Sequence, residues 1–201
     1  YGSHMWEMYG MRSWVAPFLT ASLVAHGTST GTATGWASSA AAAIVGVGTF
    51  STAITGTLSD RWGRTRTITV VMLASALLSF SFGWLLHANI MLTLCIGVAY
   101  GYLVVAESPV FSTGLPELVA PAFLGSAMGL QTLIGYSMGM IAPTVFGWAL
   151  DLFKGWEPFP GVSGEWGIAF ATCGIGGVMG PLFMWLLKRC PASERMAGGR
   201  R

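Results

Sequence analysis

The spacing of its charges constrains this chain more than any other feature. Residues 13–59 run 47 positions without an Asp, Glu, Lys or Arg, residues 67–106 run 40, residues 118–150 run 33 and residues 166–187 run 22. A helix needs about 20 predominantly apolar residues to cross the hydrocarbon core of a bilayer. The two longer gaps therefore hold two spans each, and the two shorter ones a single span. Both longer gaps also carry a polar break near the middle, over 27–35 (GTSTGTATG) in the first and at His87, Ala88 and Asn89 in the second. Six spans are predicted, over 5–26, 37–58, 67–86, 90–111, 124–150 and 166–187. Together they make a single bundle within residues 1–190, with 191–201 as a cytoplasmic tail.

Composition closes off the soluble alternative. Only 9% of the 201 residues are charged, against about 25% in an ordinary soluble domain. Mean hydropathy is +0.63. Helices are expected rather than a barrel. The apolar runs are continuous instead of alternating, and a helix pairs all its backbone polar groups within itself. Gly97/Gly101, Gly135/Gly139 and Gly176/Gly180 have the small-xxx-small spacing that lets membrane helices approach closely.

Orientation follows from the basic residues. With six spans, both termini and the loops after spans two and four share one side. That side holds nine of the ten basic residues (Arg12, Arg61, Arg64, Arg66, Lys188, Arg189, Arg195, Arg200 and Arg201), while Lys154 stands alone on the other. The positive-inside rule then puts both termini in the cytoplasm. Cys95, Cys173 and Cys190 are dispersed and odd in number, so they suggest neither a disulfide framework nor a metal site. No cofactor, catalytic or nucleic-acid motif is present. Gly161-Val162-Ser163-Gly164 has the string of an intramembrane serine protease. No histidine follows it to act as general base, and an unassisted serine is not a nucleophile.

The loop between spans two and three is the most specific motif. Gly56, Leu58, Ser59, Asp60, Arg61, Gly63 and Arg64 match the signature loop of the major facilitator superfamily, which the chain resembles. Thr65 departs where that loop often has a second basic residue, and Arg66 follows one position later. The resemblance extends to the segments around Trp6-Glu7, Glu107-Ser108-Pro109 and Leu130-Gln131, so that the chain looks like the C-terminal half of a twelve-helix transporter. On that reading Gly2 to Met5 is native sequence rather than an expression scar. The resemblance implies two inverted three-helix repeats, and Gly147, Asp151 and Gly155 after span five echo Gly56, Asp60 and Gly63. It also implies a gating role for the loop residues Gly56, Asp60, Arg61, Gly63 and Arg64.

Titratable groups at membrane depth are functional candidates by default. His4, Glu7, Arg12 and Glu107 meet that description, and Pro109 predicts a kink that frees backbone carbonyls beside Glu107. Helical spacing puts His4, Met8 and Arg12 on one stripe with Glu7 on the next, and all are expected to line a shared polar cavity. Gln131 and Tyr136 are further cavity candidates. The expected function is secondary active transport of a small solute, anionic and organic by the presence of Arg12, coupled to protons through Glu107 or Glu7. It is expected in a bacterial inner membrane, with no enzymatic activity. The partners implied are the bilayer, the solute and a missing N-terminal half or a second chain. The rival reading is a non-transporting membrane scaffold or a truncated, inactive half.

Overall fold

The computed structural model describes residues 1–200, and their regular structure is entirely helical. Seven α-helices follow in order: α1 (Gly2–Ala25), α2 (Thr30–Trp62), α3 (Arg64–Phe82), α4 (Ile90–Ala106), α5 (Ser108–Leu118), α6 (Leu124–Leu152) and α7 (Gly164–Lys188). Five stretches are both long and apolar enough to cross a membrane: Thr30–Trp62, Arg64–Leu85, Ile90–Leu118, Pro121–Leu152 and Gly164–Lys188. The first helix is a different case. Its 24 residues give about 36 Å of helix, enough length to span, but it carries His4, Glu7 and Arg12. It is a long helix packed against α6, α2 and α7, with His4 and Glu7 on its buried side.

Two predicted boundaries move. The polar run over 27–35 was expected to separate spans one and two throughout, yet only Gly27–Ser29 interrupt the helices. From Thr30 onward the hydroxyls bond back along their own helix, as Thr34 Oγ1 donates to the Thr30 carbonyl at 2.9 Å and Ser39 Oγ to that of Gly35 at 3.1 Å. A side chain that satisfies itself on its own helix does not end it. The fourth span breaks at Glu107, between α4 and α5, and continues to Leu118 instead of stopping at residue 111. Pro109 stands in the first turn of α5, where the missing N–H costs nothing.

α3 runs along α7, α1 along α6 and α2 along α4. Aromatic rings fill the centre. Phe18 meets Phe82 at 4.7 Å between centroids, Phe82 meets Phe170 edge-on at 5.0 Å, and Trp14 stacks on Phe146 at 5.1 Å. Glycines set the distance between backbones. A Cβ on Gly176 would stand 2.6 Å from the Ser3 carbonyl oxygen, and one on Gly101 would collide with the Ile44 carbonyl. All six glycines of the three predicted pairs lack room for a Cβ, Gly101 and Gly176 against backbone and Gly97, Gly135, Gly139 and Gly180 against side chains, which is how small residues pack helices where lipid offers no hydrophobic drive. Large apolar side chains point outward instead, among them Phe50, Leu77, Leu133, Met140 and Trp148.

The tail is not free. Residues Pro191–Gly199 form turns that fold back on the basic end of the bundle, with Met196 and Ser193 buried. The predicted echo between the two glycine-aspartate motifs also ends at the sequence. α2 and α3 are joined by Gly63 alone, whereas eleven residues, 153–163, separate α6 from α7.

Candidate functional site

Two polar clusters stand out, one deep in the bundle and one at its basic end. The deep cluster begins on α1. His4 and Glu7 lie one turn apart on its buried face, and the break at Glu107 turns a third ionisable side chain towards them. His4 Nδ1 lies 2.9 Å from Glu107 Oε1, with both side chains fully buried. Glu7 Oε1 accepts from Ser75 Oγ of α3 at 2.7 Å. Alongside, Tyr100 OH of α4 donates to Ser79 Oγ at 2.9 Å, and Ser79 in turn donates to the Phe170 carbonyl at 2.9 Å. Phe111 and Tyr1 flank the imidazole, with centroids 5.7 and 6.0 Å away.

The cluster is under-bonded. Glu7 Oε2, Glu107 Oε2 and His4 Nε2 are all sealed from solvent with no hydrogen-bond partner. A charge buried without compensation costs on the order of several kcal/mol. Neutralising such a charge takes a proton on the group that bears it. Two carboxyls and one imidazole, two of the three joined by a hydrogen bond, are chemically equipped to take up and release one. Gly177 makes room for this, since a Cβ there would stand 2.6 Å from Glu7 Oε2. Among the described residues no group of three or more metal-ligating side chains is placed to hold an ion.

The second cluster is built on the predicted signature loop. Gly63 is buried with φ +96° and ψ 148°, a backbone that other residues rarely adopt. The one-residue turn throws Arg64 back across the end of α2. Its Nη1 donates to Ser59 Oγ and Asp60 Oδ1 at 2.5 Å each, and its Nε and Nη2 grip Glu117 Oε2 and Oε1 at 3.3 and 2.8 Å. Glu117 Oε2 also accepts the Ala197 N–H at 3.0 Å, and Arg200 donates to the Asp60 carbonyl at 2.7 Å. Every arm of this knot is occupied. Glu117 escaped the sequence reading because it lies 53 residues from Arg64, outside the motif. Its only signal was an isolated acid at the end of an apolar span.

The remaining candidates fall elsewhere. Arg12 does not join His4 and Glu7. At 100° per residue it sits about 80° around α1 from His4, exposed, with Nη1 3.9 Å from Met8 Sδ. Gln131 is half-buried beside an apolar groove between α5, α6 and α7. Tyr136 is exposed, its ring 6.1 Å from that of Tyr9. Of the remaining motif residues, both inside α2, Arg61 is exposed and Gly56 has open space where a Cβ would go. Of the two motif glycines, Gly63 is the one needed for its backbone.

Fold and site together define a multi-pass α-helical membrane protein with a sealed cluster of two carboxyls and an imidazole. Beyond that class, the chain matches no protein-family profile, no curated protein and no solved structure.

Proposed function

We propose that this chain is a six-span half of a major facilitator superfamily transporter, in which α1 is the sixth membrane helix and the His4–Glu7–Glu107 cluster couples solute movement to protons. The observation that carries the reading is the set of unsatisfied polar atoms on Glu7, Glu107 and His4 at the centre of a helical bundle. Buried ionisable groups are expensive in a membrane and are retained where they do work. The break at Glu107 adds to this, because discontinuous helices build ion and substrate sites in secondary transporters.

Two further features support the family. Gly63 and Arg64 build the compact turn that the loop motif implies. Helix packing is also close to symmetric when the first three spans are exchanged with the last three. Under that exchange the α1–α6 contact maps onto α2–α4, α1–α7 onto α3–α4, and α3–α7 onto itself. The exception is α1 with α2, whose counterpart, α4 with α6, is not a close pair. A small organic anion remains the proposed solute, with exposed Arg12 on α1 as its cation, moving across a bacterial inner membrane with both termini cytoplasmic.

A non-transporting scaffold is the second reading. It is favoured by the cavities, because two sizeable grooves, of about 490 and 360 Å³, are lined almost wholly by apolar residues and neither Glu7 nor Glu107 opens into them.

The test is uptake into proteoliposomes carrying this chain, alone and with a complementary six-helix half, under an imposed pH gradient. Gradient-driven accumulation of an organic anion is expected, and Glu107→Gln should abolish the dependence on the gradient. Uptake that responds to the gradient equally in both proteins would refute the coupling role. No uptake under any condition would leave the scaffold standing.

A further inference from the structure

A groove of about 220 Å³ runs between the first turns of α3 and the last turns of α7, at the basic end of the bundle, and none of the hydrogen-bonding residues of either cluster lines it. It is divided by chemistry. Arg66, Lys188 and the hydroxyl-bearing Thr65 and Thr69 line one part, and Val70, Met184 and Trp185 line the other. No acidic residue lines it. Thr69 spends its hydroxyl on the Thr65 carbonyl at 2.7 Å. Thr65 is only 2% exposed, and its own hydroxyl oxygen has no hydrogen-bond partner. A buried, unpaired hydroxyl on a residue that lines a basic groove is an unused donor, which rotation about the Thr65 Cα–Cβ bond would offer to an anion.

The surroundings place this groove at a membrane surface. Arg66 lies over the Trp62 ring with its guanidinium carbon 5.7 Å from the centroid, and Arg189 lies 3.4 Å over that of Trp185. Tryptophan and basic residues gather where helices leave the hydrocarbon. Exposed Val70, Leu73 and Leu77 continue along α3 into the apolar zone. A free phosphate would use only the polar part of such a groove, whereas a phospholipid uses both.

We propose that this groove binds an anionic phospholipid. The phosphate lies among Arg66, Lys188 and the Thr65 hydroxyl, and an acyl chain lies along Val70 and Met184. Basic pockets between membrane helices bind such headgroups, and each Lys or Arg near the surface contributes about fivefold in affinity. The inference needs the chain to lie in a membrane but does not depend on transport.

The experiment is native mass spectrometry of the full chain released from detergent micelles. It is titrated separately with phosphatidylglycerol, phosphatidylcholine of the same acyl chains, and inorganic phosphate. Phosphatidylglycerol should form the predominant one-to-one adduct. Arg66→Gln with Lys188→Gln should weaken it roughly thirtyfold, whereas Lys154→Gln at the opposite end should not change it. Val70→Trp, which fills the apolar part, should also weaken it. Equal adducts with the two lipids would overturn the proposal, as would a double variant that binds like the parent. Phosphate binding as tight as the lipid would mean an anion site without lipid, and would overturn it too. The substituted side chains are exposed, and retention of the helical circular dichroism spectrum confirms that a loss of binding is local.

Discussion

The two polar clusters use the same few residue types to opposite ends. At the basic end, Arg64 meets Ser59, Asp60 and Glu117 with three donor nitrogens, and Glu117 takes a backbone N–H besides. In the deep cluster, two carboxyls and an imidazole share one direct contact and one serine, and three of their polar atoms have nothing. The first is saturated and holds three chain segments together. The second leaves capacity unused where leaving it unused is most costly. Stability explains the first arrangement; the proposed proton coupling is what would give the second a use.

That contrast can be broken by substitution. Arg64→Ala should have the largest effect, removing about 3 kcal/mol of stability. The figure is at the low end for a buried pair, because Asp60 keeps 63% and Glu117 27% of its side-chain surface exposed and each can recover hydration. Unfolding by SDS titration in mixed micelles measures it. A loss below about 1 kcal/mol would make the knot an ordinary surface ion pair. Next comes Gly63→Ala, expected to cost about 2 kcal/mol because its φ of +96° is strained for any residue with a Cβ.

The deep pair should behave differently. His4→Leu with Glu107→Leu removes both partners together, and such replacements in buried sites are often neutral or stabilising. We expect stability to fall by no more than about 1 kcal/mol while gradient-driven uptake is lost. If the double variant unfolds as readily as Arg64→Ala, the deep cluster is structural after all. The smallest effect is expected at Gly56→Ala. It lies inside α2 with open space around it, so alanine should add about 0.5 kcal/mol.

Much of the bundle was legible from charge spacing alone. The turn at 87–89 and the extents of α6 and α7 follow from where polar residues interrupt apolar ones, and the glycine contacts from small-xxx-small spacing. The deep cluster was only half legible. His4, Glu7 and Glu107 stood out as ionisable groups in apolar runs, but helical spacing wrongly admitted Arg12. A stripe i, i+4, i+8 rotates by about 40° at each step, so its third member has left the face that buried the first. The proline near Glu107 signalled a kink, yet not that the break would aim the carboxyl at His4.

What the sequence determined by itself is the set of stretches able to leave water, because transfer to lipid depends on local composition summed over about 20 residues. The motif loop belongs to the same level, since a glycine turn and its basic neighbours are local. Which distant groups meet was decided only by the tertiary structure. Glu117 reaches Arg64 across 53 positions, His4 reaches Glu107 across 103 and Ala197 reaches Glu117 across 80. These pairings depend on the crossings of whole helices, and those crossings are set by glycines and rings packing from several elements at once.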